Sequence, residues 1–268
     1  MAYVISTISM KGGVGKTTSV LCLGTGLAGR GKKVLMADLD AQGSLSIAMG
    51  YDDPDRQPVT MADIFQRLKD IQSDTEVAEG ILSVSENLDC IPANRKMALV
   101  EQELVTTEGG ELILKRLLPL LSGGGKTYDY VLLDCPPSLG MVTVNALAAS
   151  DGVLVPTQAE YLAAKGMEQL LQTVVQIRRG LNPELELLGI LPTMVNACTR
   201  DGKAVLKLLN DVYAESIGIL PVIPYSVRAK EISSTGKSIY QLDRGGKVSG
   251  AYTCLVSEIL KRTERAEK

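Results

Sequence analysis

Short apolar runs recur along the chain, each bounded by glycine, proline or an acidic residue, with helical stretches between them. Tyr3-Val4-Ile5-Ser6-Thr7-Ile8-Ser9 is β-branched and short, and Lys33-Val34-Leu35-Met36-Ala37-Asp38 and Tyr130-Val131-Leu132-Leu133-Asp134 are apolar at successive positions. Runs without polar alternation are what strands buried on both faces of a parallel sheet look like. Leu88–Pro92, Gly152–Pro156, Leu187–Leu191 and Ile217–Pro221 predict further strands, and helical periodicity covers Thr17–Ala28, Met61–Leu68, Ala98–Leu121 with a break near Gly109-Gly110, Leu162–Arg179 and Lys203–Glu215. Strand and helix in alternation predict an α/β fold, a doubly wound, mostly parallel sheet flanked by helices. No internal repeat or linker divides residues 1–268, so one domain is expected, with the polar, irregular stretch 51–85 as a surface excursion.

Composition narrows the chemistry. At 268 residues and 45% hydrophobic, the chain can bury a large core without disulfides or metals. The five cysteines are odd in number, far apart and never in a Cys-x-x-Cys pair, so buried apolar roles are expected for them. There is no histidine, which removes Ser-His-Asp and Cys-His nucleophiles and the usual zinc and non-haem iron ligands. What remains is lysine, carboxylates, hydroxyls, backbone amides and a hard metal. No apolar run reaches the roughly 18 residues of a membrane span, and no basic leader precedes the first strand, so a cytoplasmic protein is expected.

The clearest chemical signal follows the first strand. Met10-Lys11-Gly12-Gly13-Val14-Gly15-Lys16-Thr17-Thr18 lies between a strand and a helix. A phosphate cradle needs successive backbone N–H groups pointing inward, hence Gly12, Gly13 and Gly15 where a Cβ would block the approach, and the positive end of a helix behind them. Lys16 would then reach the β- and γ-phosphates, and the Thr17 hydroxyl would ligate Mg²⁺. The pattern G-x-x-x-x-G-K-[ST] is met except at its first glycine, where Met10 stands, and a second lysine, Lys11, precedes the glycine pair. Ser122-Gly123-Gly124-Gly125-Lys126-Thr127 imitates the loop only superficially, because it follows a helix and has Leu120 at the first glycine position.

Lys11-Gly12-Gly13-Val14-Gly15-Lys16-Thr17-Thr18 resembles the deviant Walker A box of the ParA/Soj and MinD ATPases, P-loop NTPases of the SIMIBI-like kind. Asp38-Leu39-Asp40-Ala41-Gln42-Gly43-Ser44 and Asp134-Cys135-Pro136-Pro137-Ser138-Leu139-Gly140 are similar to the next two boxes, and the stretches at 145–151 and 222–228 extend the likeness over nearly the whole chain, toward the partition branch. The resemblance implies an ATP-bound sandwich homodimer in which Lys11 reaches the partner's phosphates, in the role an arginine finger has elsewhere. It also implies that Asp40 orients the attacking water, that Asp38 helps set the metal environment and that Asp134 holds Mg²⁺ through its water shell. Asn196, Pro224 and Tyr225 correspond to positions that contact the base, completing a nucleotide set with Val14 and Thr18. Ala41 stands where the family has proline, and Ser9-Met10 where it has Asn-Gln.

Charge division separates three readings of such a site. Residues 196–250 carry eight basic and five acidic side chains, whereas the chain as a whole is at −3. A basic segment suits non-specific DNA binding by counterion release, and Arg200, Lys203, Arg228, Lys230 and Lys247 are the candidates, each with a solvated face as its bland alternative. The resemblance then implies partition of a chromosome or plasmid, nucleoid association and stimulation by a ParB-like partner. The second reading is a MinD-like positioning ATPase with a C-terminal membrane helix. Leu255, Val256, Ile259 and Leu260 have the spacing, but 261–268 is polar except for Ala266, which favours packing against the body. An iron protein of the nitrogenase type or an amidoligase is the third, and the cysteine spacing suits it least.

Overall fold

The computed structural model of the chain describes residues 2–69, 77–121, 126–158, 163–196, 199–235 and 237–266, without the side chains of 163–165, 201, 230, 233, 234, 265 and 266. Of the sequence candidates, Cys198 and the side chain of Lys230 therefore lie outside the described residues.

Strands β1 (Tyr3–Thr7), β2 (Val34–Asp38), β3 (Leu82–Ser85), β4 (Leu88–Ile91), β5 (Tyr130–Asp134), β6 (Gly152–Gln158) and β7 (Glu186–Thr193) form one sheet in the order β3-β4-β2-β5-β1-β6-β7. All neighbours are parallel except β3 and β4. The helices are α1 (Lys16–Ala28), α2 (Ser44–Ala48), α3 (Met61–Lys69), α4 (Met97–Thr106), α5 (Leu117–Leu120), α6 (Met141–Ala149), α7 (Ala163–Gly180), α8 (Arg200–Tyr213), α9 (Val227–Thr235), α10 (Ile239–Leu242) and α11 (Lys247–Ala266).

Strand alternation sorts the core into two layers. Val4, Leu35, Ala37, Val131 and Leu133 pack toward α3, α4, α6 and α7, while Ile5, Val34, Met36, Tyr130 and Leu132 pack toward α1 and α11. Parity then puts Asp38, two residues after Met36, and Asp134, two after Leu132, on the α1 face. In α11, Val248, Tyr252, Leu255, Val256, Ile259 and Thr263 are buried, so its apolar stripe is spent on the body of the protein.

Two predicted elements differ. Ile217–Pro221 forms only an isolated bridge, Ile190 to Ile219, because Gly218 has φ 92° and Pro221 has no N–H to continue a ladder. The helix predicted from Ala98 stops at Thr106, turns through Gly109 at φ 63°, and resumes as short turns ahead of α5. Within 51–85, Arg56 is exposed, whereas Met61, Ile64 and Phe65 of α3 are buried and β3 pairs with β4.

Candidate functional site

The loop from Ser9 to Gly15 leaves the end of β1 and turns through Gly13 at φ 73° and Gly15 at φ 83°, conformations in which an L side chain is strained. Gly15 caps α1 with no side-chain hydrogen bond, so the amides of the first turn remain available at the positive end of the helix. Val14 turns into the core and contributes backbone alone. The loop is pinned at two points: the Ser9 hydroxyl donates to the Lys11 carbonyl at 2.9 Å, and the Thr193 hydroxyl donates to the Val14 carbonyl at 2.7 Å.

A cleft of about 450 Å³ opens above this loop, lined by Gly12, Gly13, Gly15, Lys16, Thr17 and Thr18 on one side and by Met194, Pro224 and Tyr225 on another. Asp40, Pro137, Thr193 and Tyr252 also line it. It lies at the carboxyl ends of the strands, where doubly wound sheets bind ligands. A larger cleft, about 660 Å³, sits at the opposite end beneath Tyr3 and Tyr130, and among the described residues no glycine lines it. Lys16 is buried in the cleft wall, at 7% exposure.

Asp38 and Asp134 are register partners across β2 and β5, and both are buried. Asp38 is engaged internally: Oδ1 accepts from the Asp40 N–H at 3.1 Å, and Oδ2 accepts from the Ser46 N–H at 2.9 Å and its hydroxyl at 2.7 Å. Burial raises its pKa to about 6 against the pull of those donors. Neither oxygen of Asp134 has a hydrogen-bond partner. Burial first, then the charge of Asp38, pushes its pKa up to about 8, although the Thr17 hydroxyl and the Lys16 ammonium lie near enough to pull it down.

An orphaned buried carboxylate is costly unless something charged meets it. The Thr17 hydroxyl and Asp134 form a hard oxygen pair that fits Mg²⁺, which keeps waters and uses few protein ligands when phosphates supply the rest. Among the described residues no group of three or more His, Cys, Asp or Glu could cage a metal.

Asp40 lines the cleft just beyond the end of β2, half-buried, with Oδ1 accepting from the Gln42 N–H at 3.0 Å. The turn closes without the family's proline at Ala41, because the Gly43 N–H donates to the Asp40 carbonyl at 2.9 Å. Lys11 is exposed and borders a separate groove with Met10, Val14, Gln158 and Met167, not the cleft that holds Lys16.

Of the three base-contact candidates, Pro224 and Tyr225 line the cleft, while Asn196 is exposed outside it and its carbonyl accepts from Thr199 at the start of α8. Thr193, Met194 and Tyr252 were not anticipated. The first two follow from the rule that residues at a strand's carboxyl end face the ligand, while Tyr252 on α11 has no local signal. The basic candidates fall into two groups. Arg200 and Lys203 are exposed on the first turn of α8, whereas Arg228 is paired to Asp243 Oδ1 at 3.2 Å and Lys247 is exposed at the start of α11. Lys126, after the glycine run of 122–125 that lies outside the described residues, donates to Asp89 at 2.7 Å.

An AAA domain family matches residues 2–187. The chain is 40% identical over 261 residues to the sporulation initiation inhibitor protein Soj of Bacillus subtilis (strain 168), covering 97% of this chain and 98% of that one. It is 36% identical over 260 residues to the chromosome partitioning protein ParA of Caulobacter vibrioides (strain NA1000 / CB15N), covering 97% and 94%. A structure of a Mycobacterium smegmatis protein named cobyrinic acid a,c-diamide synthase, with bound ADP and magnesium, superposes with a TM-score of 0.83 at 34% identity, over 98% of this chain and 96% of that one.

Proposed function

Because this chain belongs to the Soj/ParA family of chromosome-partitioning ATPases, we propose that it is a Mg²⁺-dependent ATPase whose ATP-bound homodimer binds DNA without sequence preference. A ParB-like DNA-bound partner stimulates its hydrolysis, and the cycle serves partition of a chromosome or plasmid. Bound nucleotide lies in the 450 Å³ cleft, its phosphates on the amides of Gly12 to Thr18 and its base against Pro224, Tyr225 and Met194. Thr17 and Asp134 hold Mg²⁺, which neutralises phosphate charge when bound. Lys16 binds the β- and γ-phosphates, and Asp40 accepts a hydrogen bond from the attacking water and aligns it on the γ-phosphorus.

The observation that carries this reading is the separation of the two loop lysines. Lys16 is buried in its own cleft, whereas Lys11 is exposed and borders a different groove, which supports the reading that it serves a second protomer's phosphates. Dimerisation is thereby linked to ATP, since only the triphosphate presents the charge that Lys11 completes. Arg200 and Lys203 supply phosphate-neutralising charge on α8.

A gel shift at low salt tests this. With ATP, but not ADP, the wild type should retard plasmid DNA, and Asp40→Ala should do so persistently. If neither retards DNA and both bind liposomes, the MinD-like alternative replaces it. That alternative has little support: the apolar stripe of α11 is buried, and among the described residues no helix is long and apolar enough to cross a membrane.

The similarity to a protein named as a cobyrinic acid a,c-diamide synthase favours a second reading, ATP-dependent amidation of a carboxylate. With no histidine in the chain, a Cys-His pair to release ammonia from glutamine cannot form within it. Ammonia-dependent ADP release in the presence of a corrinoid acid, absent without it, would establish that reading instead.

A further inference from the structure

Glu101 lies on α4, outside every sequence motif, yet its carboxylate grips the start of α6. Oε1 accepts from the Met141 N–H at 2.5 Å and Oε2 from the Val142 N–H at 2.9 Å. These are the first two amides of a helix whose own N-cap, Gly140, offers no side chain. A carboxylate at that position satisfies two orphan donors and meets the positive end of the helix, the work usually done by a local Ser, Thr or Asp. Gly140 is the complementary choice, because a Cβ there would overlap the Glu101 carboxylate, although its backbone, φ −77° and ψ −171°, suits any residue.

The gripped segment is the far end of the loop that begins at Asp134. Between them, Pro137 lines the cleft, and the Thr143 hydroxyl donates to the Ser138 carbonyl at 2.8 Å. The other end of α4 follows Ala93, whose N–H donates to the Ser46 hydroxyl at 3.0 Å, and that hydroxyl donates in turn to Asp38. The segment from Ala93 through α4 thus bridges the chain after β2, which carries Asp40, and the loop that follows Asp134 at the end of β5.

We propose that Glu101 is a positioning residue for ATP hydrolysis, holding the 134–140 loop in register with Asp40 through the α6 amides. The proposal rests on the ATPase reading above. Its consequence is selective: the phosphates are held by the glycine loop and Lys16, and Asp134 is fixed by the β5 ladders to β1 and β2, none of which Glu101 touches, so its loss acts on turnover and not on nucleotide affinity. Displacements below an ångström suffice for this.

The test is steady-state hydrolysis and ATP affinity for wild type, Glu101→Gln, Glu101→Ala, Gly140→Ala and the Glu101→Ala/Gly140→Ala double variant, each normalised to its bound-ATP stoichiometry. We expect kcat to fall about tenfold in Glu101→Ala and Gly140→Ala, with KM and the ATP dissociation constant within about twofold of wild type, and Glu101→Gln to fall between. The double variant should be no slower than Glu101→Ala, since the new methyl then has no carboxylate to evict. A kcat unchanged in Glu101→Ala, or losses that multiply in the double variant, overturns the proposal while leaving the ATPase intact. Wild-type turnover no higher than that of Lys16→Ala overturns the ATPase reading and, with it, any role for Glu101 in turnover.

Discussion

Asp38 and Asp134 stand side by side across β2 and β5 on the same face of the sheet, and only Asp38 has its oxygens satisfied. The pair divides the labour of the site. Asp38 braces the backbone that carries Asp40, and Asp134 is left as an open carboxylate beneath Thr17.

A carboxyl raised from 3.8 to about 8 holds its proton more tightly in the folded chain than in the unfolded one. Its contribution to stability therefore declines as pH rises from about 4 through about 8. Asp134→Asn removes that penalty. The nucleotide-free variant should melt several degrees above wild type at pH 8 and near it at pH 4.5, as scanning calorimetry would show.

If the same carboxyl holds Mg²⁺, it must lose its proton to do so. MgATP binding should therefore strengthen as pH rises from 6 to 8, with net proton release near the raised value of about 8. Titration calorimetry in two buffers of different ionisation enthalpy measures the released proton. A binding enthalpy independent of buffer would contradict the assignment of Asp134.

The two lysines should fail differently. Lys16→Ala should abolish nucleotide binding, measured by equilibrium dialysis. Lys11→Ala should keep ATP within about threefold of wild-type affinity while hydrolysis drops by about 10³, the scale on which such charge-stabilising groups act.

For DNA, the ion pair between Arg228 and Asp243 sets an order among the basic residues. Arg200→Ala and Lys203→Ala should each lower the slope of log affinity against log salt by about one. Arg228→Ala should change that slope less and lower the melting temperature more, because its loss leaves the nearly buried Asp243 without its cation. Fluorescence anisotropy across a salt series separates the two outcomes.

Thr193→Val removes the donor that pins the Val14 carbonyl at 2.7 Å. A net hydrogen bond is worth about 1 kcal/mol, so ATP affinity should weaken about fivefold with little change in fold.

The parallel strands and the glycine loop were legible because their determinants are local: unbroken apolar runs ending in Asp38 and Asp134, and three glycines between a strand and a helix. Alternation along β2 and β5 even assigns both aspartates to the α1 face. What escaped depends on partners far apart in sequence. Thr193 meets Val14 across 179 positions, Tyr252 reaches the cleft from α11, and Glu101 caps a helix 40 residues on. β3 escaped because its alternation of half-buried and exposed residues is that of an edge strand within a polar stretch, and Arg228 looked like free charge because Asp243 lies 15 residues away in another helix. Gly140 ends the third box, but its fit against Glu101 left no local sign, since its backbone angles need no glycine.

If each site is completed by the partner's Lys11, mixing two inactive variants restores hydrolysis. Lys11→Ala keeps Asp40, and Asp40→Ala keeps Lys11. Random pairing at equal amounts makes half the dimers mixed, each with one complete site if the lysine crosses the interface, so the mixture should regain about a quarter of the wild-type ATPase rate. If Lys11 serves its own protomer's phosphates, every site lacks one group, and a mixture no faster than the variants alone would contradict the account.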